Sequence, residues 1–232
     1  MEMKVSPDAG KISVITPVWN RADLTRQLLW RNCTLYQSRP DVEFIIVDNA
    51  STDETREILG PFKALLSDRL VIQRNEDNVG FGPGHNQGAR VAAGETFIFL
   101  SNDVIIANDY ITPIQNALAE QPDALVGPEM LRHDTGWNTF DGQTIPYLAG
   151  WCIACRRETW DKLGGWDERY VPCDYEDIDL SYTAMKLGIP LVEAPLPLQH
   201  MFGQSAQKLD GGRLQITHQS QAKFKEKWGL DG

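Results

Sequence analysis

Three short apolar runs each end on polar side chains: ISVI on Thr16, FIIV on Asp48, and FIFL on Ser101, Asn102 and Asp103. After the last break the apolar character resumes as VII. Runs of this length, apolar throughout and rich in Val and Ile, suit strands covered on both faces, which is the setting of a parallel sheet. Parallel strands need crossovers, and helix-like segments stand between the runs. Residues 22–37 carry Leu24, Leu28, Leu29 and Leu35 at roughly helical spacing. Ser51 and Glu54 match a capping box that would open a second helix at residue 51, and residues 84–94 read as a short third helix ending at Gly94. RLVIQRN supplies another strand. Strand and helix alternate as in a doubly wound α/β fold.

Beyond residue 104 the periodicity changes. ITPIQNALAEQ reads as a helix and ALVGPEML as strand, followed by a polar loop over residues 132–146 and the apolar YLAGWCIACR. A helix around RETWDKLGG, an acidic stretch, a strand PLVEAP and a tail with His200 and His218 complete the chain. No repeat or low-complexity linker separates the halves. The expectation is one domain over residues 1–232, with a nucleotide-binding half to about residue 104 and an acceptor-side half from about 105.

Charge narrows the range of partners. With 22 Lys and Arg against 32 Asp and Glu the net charge is −10, which argues against a nucleic-acid backbone partner. The densest basic stretch, Lys223 to Lys227, reads as the solvated face of a last helix. Cys152 and Cys155 have C-x-x-C spacing, but in a strand residues three apart point to opposite faces, so structural thiols are expected. The amino-terminal residues lack a signal pattern and no apolar run approaches bilayer-spanning length; a cytoplasmic chain with no transmembrane segment is expected.

In an open α/β sheet ligands bind beyond the carboxyl ends of the strands, where Thr16, Asp48, Asn102 and Asp103 fall. A carboxylate beside a buried strand must be paired, hydrogen-bonded or metal-bound. A hard divalent cation completed by phosphate oxygens would satisfy Asp103. A second concentration of acids, Asp174, Glu176, Asp177 and Asp179, precedes a helical run that stops at Gly188. Four acids in six residues exceed what a helix amino terminus requires.

Taken in order, ITPVWNR, FIIVDNASTDETREIL, NVGFGPGHNQGAR, FIFLSNDV and YEDIDLSYTAMKLG followed by QHMFGQS resemble the family 2 glycosyltransferases with the GT-A fold. The resemblance implies a single GT-A type domain, a Rossmann-like, mostly parallel sheet flanked by helices. It implies an inverting transferase that uses a nucleoside diphosphate sugar, UDP- or dTDP-linked, with Mn2+ or Mg2+ and a hydroxyl acceptor. By position, Thr16, Pro17, Asp48, Asn78, Gly80, Asn86 and Asn102 would contact the donor. Asp103 and His200 would hold the metal, Asp177 would be the catalytic base, and Glu176 would orient the acceptor.

Asn102 departs from the acidic residue usual at the first position of the D-x-D-type motif, which removes a charge. The loop from Asn78 resembles that of relatives using deoxysugar donors such as dTDP-rhamnose, and its glycines at 80, 82, 84 and 88 would let backbone approach a ligand. Trp137, in the polar loop, could offer an acceptor a stacking face. Residues 203–213 read as a lid. Two other readings stand beside this one: an inert nucleotide-sugar-binding module, and a nucleotidyltransferase. The latter would want a Gly-rich basic loop after the first strand, where TPVWNR has one Arg and no Gly.

Overall fold

The computed structural model describes residues 8–201 and 212–230. In chain order its elements are β1 (Asp8–Val18), α1 (Ala22–Tyr36), β2 (Val42–Asp48), α2 (Thr55–Leu66), β3 (Leu70–Arg74), α3 (Phe81–Val91) and β4 (Gly94–Leu100). There follow β5 (Val104–Ile106), α4 (Ile111–Glu120), β6 (Leu125–Gly127), β7 (Met130–Leu131), β8 (Thr139–Phe140), β9 (Gln143–Thr144), β10 (Tyr147–Leu148) and β11 (Cys152–Arg156). The last are α5 (Arg157–Leu163), α6 (Glu176–Lys186), β12 (Leu191–Glu193), β13 (Leu198–His200) and α7 (Arg213–Trp228).

Seven strands form the main sheet in the order β12-β6-β11-β4-β1-β2-β3. All neighbours are parallel except β11, which runs antiparallel to β4 and β6. Side chains alternate across the sheet as a period of two requires. Phe44, Ile46, Ile98 and Leu100 enter a core with α1 and α4; Ile45, Val47, Phe97 and Phe99 enter a second core with Trp160 and Trp166. Cys152 belongs to the first and Cys155 to the second, so the C-x-x-C pair is split between the faces. A third cluster, with Tyr170, Tyr175, Ile178 and the buried Phe224, seats α7 against the start of α6.

Three local expectations need correction. The capping box does not form: α2 begins at Thr55, whose amide donates to Asp53 Oδ1 at 3.0 Å. Ser51 Oγ instead accepts from the Asn20 amide, because Ala50, at φ 58°, turns the chain toward the β1–α1 connection. The third helix starts three residues earlier than expected, and three of its glycines pack α3 rather than face a ligand. A Cβ on Gly88 would lie 2.4 Å from Ile15 Cγ2, on Gly84 3.0 Å from Pro17 Cβ, and on Gly82 3.2 Å from Trp166 Cβ. Gly88→Ala is therefore expected to lower stability by about 1–3 kcal/mol, read as a shift in the urea midpoint, since Ile15 sits in a filled core.

The third correction concerns Lys227, which is not on a solvated face. Its Nζ donates to Asp167 Oδ2 at 2.8 Å and to the buried Asp179 Oδ2 at 2.7 Å. Trp228 Nε1 and the Tyr170 hydroxyl donate to the other Asp179 oxygen, at 2.8 and 3.1 Å. A buried carboxylate demands such partners, and here they bind the end of α7 to α6.

Candidate active site

A cavity of about 610 Å³ opens at the carboxyl ends of β1 and β4 and the start of α6. It is bordered on one side by Pro17, Val18, Asn49, Asn78 and Gly80, and on another by Asn102, Asp103 and His200. Gly150, Trp151, Glu176 and Asp177 meet it from the far half of the chain, and Trp137, Arg213, Leu214 and Thr217 line it as well.

The break in FIFLSNDVII marks where β4 ends and β5 begins. β5 pairs antiparallel with β13, with His200 opposite Val104, and the Met201 amide donates to the Asp103 carbonyl at 2.9 Å. This register brings His200 Nε2 to 3.2 Å from Asp103 Oδ1. Asp103 is only 3% exposed, which a carboxylate tolerates beside such a partner. Asn102, also buried, points its amide at Thr25 Oγ1 of α1, 3.4 Å away.

A carboxylate oxygen and an imidazole nitrogen side by side suit a divalent ion such as Mn2+. No group of three or more His, Cys, Asp or Glu poised for a metal occurs among the described residues. Ions of this kind commonly complete their coordination with substrate phosphate and water. The donor set fits the group.

Also lining the cavity, Asp174 and Tyr175 precede α6 at φ 71° and 74°, two consecutive non-glycine residues in the left-handed region, where strain gathers at functional sites. The four acids divide. Asp179 serves the α7 clamp, and Asp174 accepts from the Thr217 hydroxyl at 2.6 Å and from Arg213 at 3.1 Å. Glu176 and Asp177 line the cavity, as Asp174 does, but make no ion pair there among the described residues.

Asp177 Oδ2 accepts from the Gly150 amide at 3.0 Å, and Oδ1 from the Ile178 amide at 2.9 Å. Burial pushes its carboxyl up to about 6 against the pull of these two donors, with the Asp174 charge adding to the rise. Burial, followed by the charges of Asp177 and Asp174, holds Glu176 well above the usual carboxylate range. Glu176 is 7% exposed and its Oε2 has no hydrogen-bond partner among the described residues. Burial thus raises both carboxyls above their ordinary range, against the ionised forms that the helix dipole alone would favour.

Three proposed donor contacts lie off the cavity. Thr16 is buried within β1. Asp48 is engaged by Arg74 and by the Ser51 amide, at 2.9 Å. Asn86 donates to the Trp166 carbonyl and to Glu168, both at 2.8 Å, and accepts from the Trp166 amide, which fixes α3 to the loop after α5.

Their neighbours Pro17 and Asn49 do line the cavity; Asn49 Nδ2 donates to the Gly80 carbonyl at 3.0 Å, and its Oδ1 accepts from Asn75 at 2.8 Å. Asn49 was not singled out in the sequence, although its place after a strand-end Asp was a usable signal. Arg213 and Thr217 gave no signal, since only the docking of α7 carries them to the site. Residues 202–211, most of the expected lid, lie outside the described residues.

The chain belongs to glycosyl transferase family 2, whose model matches residues 13–169. Among curated relatives it is similar to a poly(ribitol-phosphate) beta-glucosyltransferase of Bacillus spizizenii, 31% identical over 50% of this chain and 19% of that protein. It is also similar to validoxylamine A glucosyltransferase of Streptomyces hygroscopicus, 24% identical over 90% of this chain and 61% of that one. The chain thus spans less than two thirds of either.

Among solved structures it shares a fold with the mannosyltransferase PcManGT from Pyrobaculum calidifontis in complex with GDP-Man and Mn2+, at TM-score 0.63 and 24% identity over 82% of this chain and 57% of that one. It also resembles GalNAc-T7 with UDP, GalNAc and Mn2+, at TM-score 0.71 and 15% identity over 93% of this chain and 47% of that one. No helix among the described residues is long and apolar enough to cross a membrane.

Proposed function

We propose that this chain transfers a sugar, with inversion, from a nucleoside diphosphate donor to an acceptor hydroxyl. One observation carries the reading: Asp103, His200, Glu176 and Asp177 all line a single cavity. The donor diphosphate lies on the Asp103 side and its sugar spans toward α6. Pro17, Asn49, Asn78 and Gly80 flank the nucleotide, and Asn102 retains hydrogen bonding toward ribose without the usual charge.

Asp103 and His200 would hold Mn2+ or Mg2+; when bound, such an ion neutralises charge on a departing diphosphate. Asp177 Oδ2 accepts the proton of the acceptor hydroxyl as that oxygen attacks the anomeric carbon, while the Gly150 amide fixes the carboxylate's direction. Glu176, its carboxyl raised by burial, lines the cavity beside Asp177 and orients the acceptor. Trp137, at the rim, offers a face on which an acceptor ring stacks. UDP- and dTDP-sugars are the first donors to test, the deoxysugar dTDP-rhamnose among them.

A base that must be ionised gives a rate that rises with pH. With Asp177 at about 6 in the free protein, kcat/KM is expected to climb from pH 5 and level off above about pH 7, with an acid limb near 6. A limb near 4, the ordinary carboxylate range, would count against Asp177 as base. The direct test of the activity is a screen of nucleotide sugars for Mn2+-dependent hydrolysis and transfer. Absence of turnover with every donor, alongside nucleotide binding, would favour an inert binding module instead.

A further inference from the structure

Gly150 and Trp151 cross the cavity floor between the metal-side pair and the base. The Trp151 indole lies against the His200 imidazole, ring centroids 5.3 Å apart and planes 13° from parallel. Its Nε1 donates to Glu129 Oε2 at 3.4 Å, and the Ala149 amide donates to the Glu129 carbonyl at 3.0 Å, so Glu129 anchors this segment twice. The Trp151 carbonyl accepts from the Ser101 amide at 2.9 Å, which ties it to the loop carrying Asn102 and Asp103. One residue earlier, the Gly150 amide reaches Asp177, and a Cβ there would stand 2.9 Å from Asp177 Cβ.

His200 needs such support. It ends a three-residue strand, and the second torsion of a histidine side chain is broad and weakly directed. A near-parallel aromatic face restricts that torsion, and ring pairs favour stacked arrangements at this separation. Partners of a ligating imidazole commonly set its orientation.

We propose that Trp151 is a positioning residue that holds the His200 imidazole ready to share a cation with Asp103. The proposal rests on the reading of Asp103 and His200 as the metal-side pair. Its test is titration with Mn2+ alone, following loss of the free-ion paramagnetic resonance signal, for the unsubstituted protein and for Asp103→Ala, Trp151→Leu and Trp151→Phe.

Trp151→Leu is expected to weaken Mn2+ binding about tenfold or more, and Trp151→Phe, which keeps an aromatic face, by no more than about threefold. Thermal midpoints of both variants accompany the titration; a purely packing role would lower them while leaving Mn2+ affinity unchanged. Trp151→Leu binding Mn2+ as the unsubstituted protein does, while Asp103→Ala loses it, would overturn this inference alone. Equal binding by the unsubstituted protein and Asp103→Ala would overturn the metal-side pair, and this inference with it.

Discussion

Asp177→Asn should lower kcat by about 10²–10⁴-fold while donor nucleotide binding stays within a few-fold, the usual weight of a positioned general base. The amide keeps the shape of the carboxylate, and its oxygen can still accept from the Gly150 amide. What it loses is the ability to take a proton, together with the acceptor for the Ile178 amide. Glu176 stands beside it, but burial, the main cause of its raised carboxyl, is unchanged by the substitution and makes it a poor replacement base. Steady-state kinetics with a competent donor and acceptor, together with nucleotide titration of the same variant, separate chemistry from binding. Unchanged turnover would remove Asp177 from the mechanism, and a matching loss of nucleotide affinity would point to damage of the whole cavity.

Asp103→Ala should abolish the enhancement of nucleotide binding by Mn2+. Calorimetric titration of UDP and dTDP, with and without Mn2+, should show tighter binding with the ion for the unsubstituted protein only. A loss of at least about tenfold is expected, each factor of ten corresponding to about 1.4 kcal/mol. His200, which stands 3.2 Å from Asp103, would remain as a lone nitrogen donor, too little for an ion that favours carboxylate and phosphate oxygens. Equal affinities across all four conditions would show that the carboxylate holds no ion of consequence.

Much of the fold is legible in the chain because two-sided burial leaves a plain record. FIIV and FIFL could be assigned to a covered sheet from apolar continuity alone, and their residues do alternate between two cores. Strand ends were readable only in part: Asn102 and Asp103 reach the cavity, whereas Thr16 lies within β1 and Asp48 is taken by Arg74 and the Ser51 amide. Legibility failed where one pattern serves two purposes.

Ser51 and Glu54 have capping spacing, yet Ala50 at φ 58° takes the chain elsewhere first. The glycines of α3 look like a ligand cradle but mostly admit Ile15, Pro17 and Trp166. Lys227 looks like surface charge until Asp179, 48 residues earlier, is seen to need it. Asp48 and Asp103 are alike in sequence, each following a short apolar run, and differ in partner. Arg74 occupies the first, whereas β13 brings His200 to the second. Non-local pairing of this kind leaves no local trace.

The stereochemistry of transfer is the most direct test. In the proposed arrangement, with the diphosphate on the Asp103 side and the acceptor hydroxyl approaching from Asp177, attack and departure would lie on opposite faces of the anomeric carbon. Proton NMR of the first product formed from an α-linked donor should therefore show the β anomer. A product that keeps the donor's configuration would contradict the placement of base and leaving group on which the account depends.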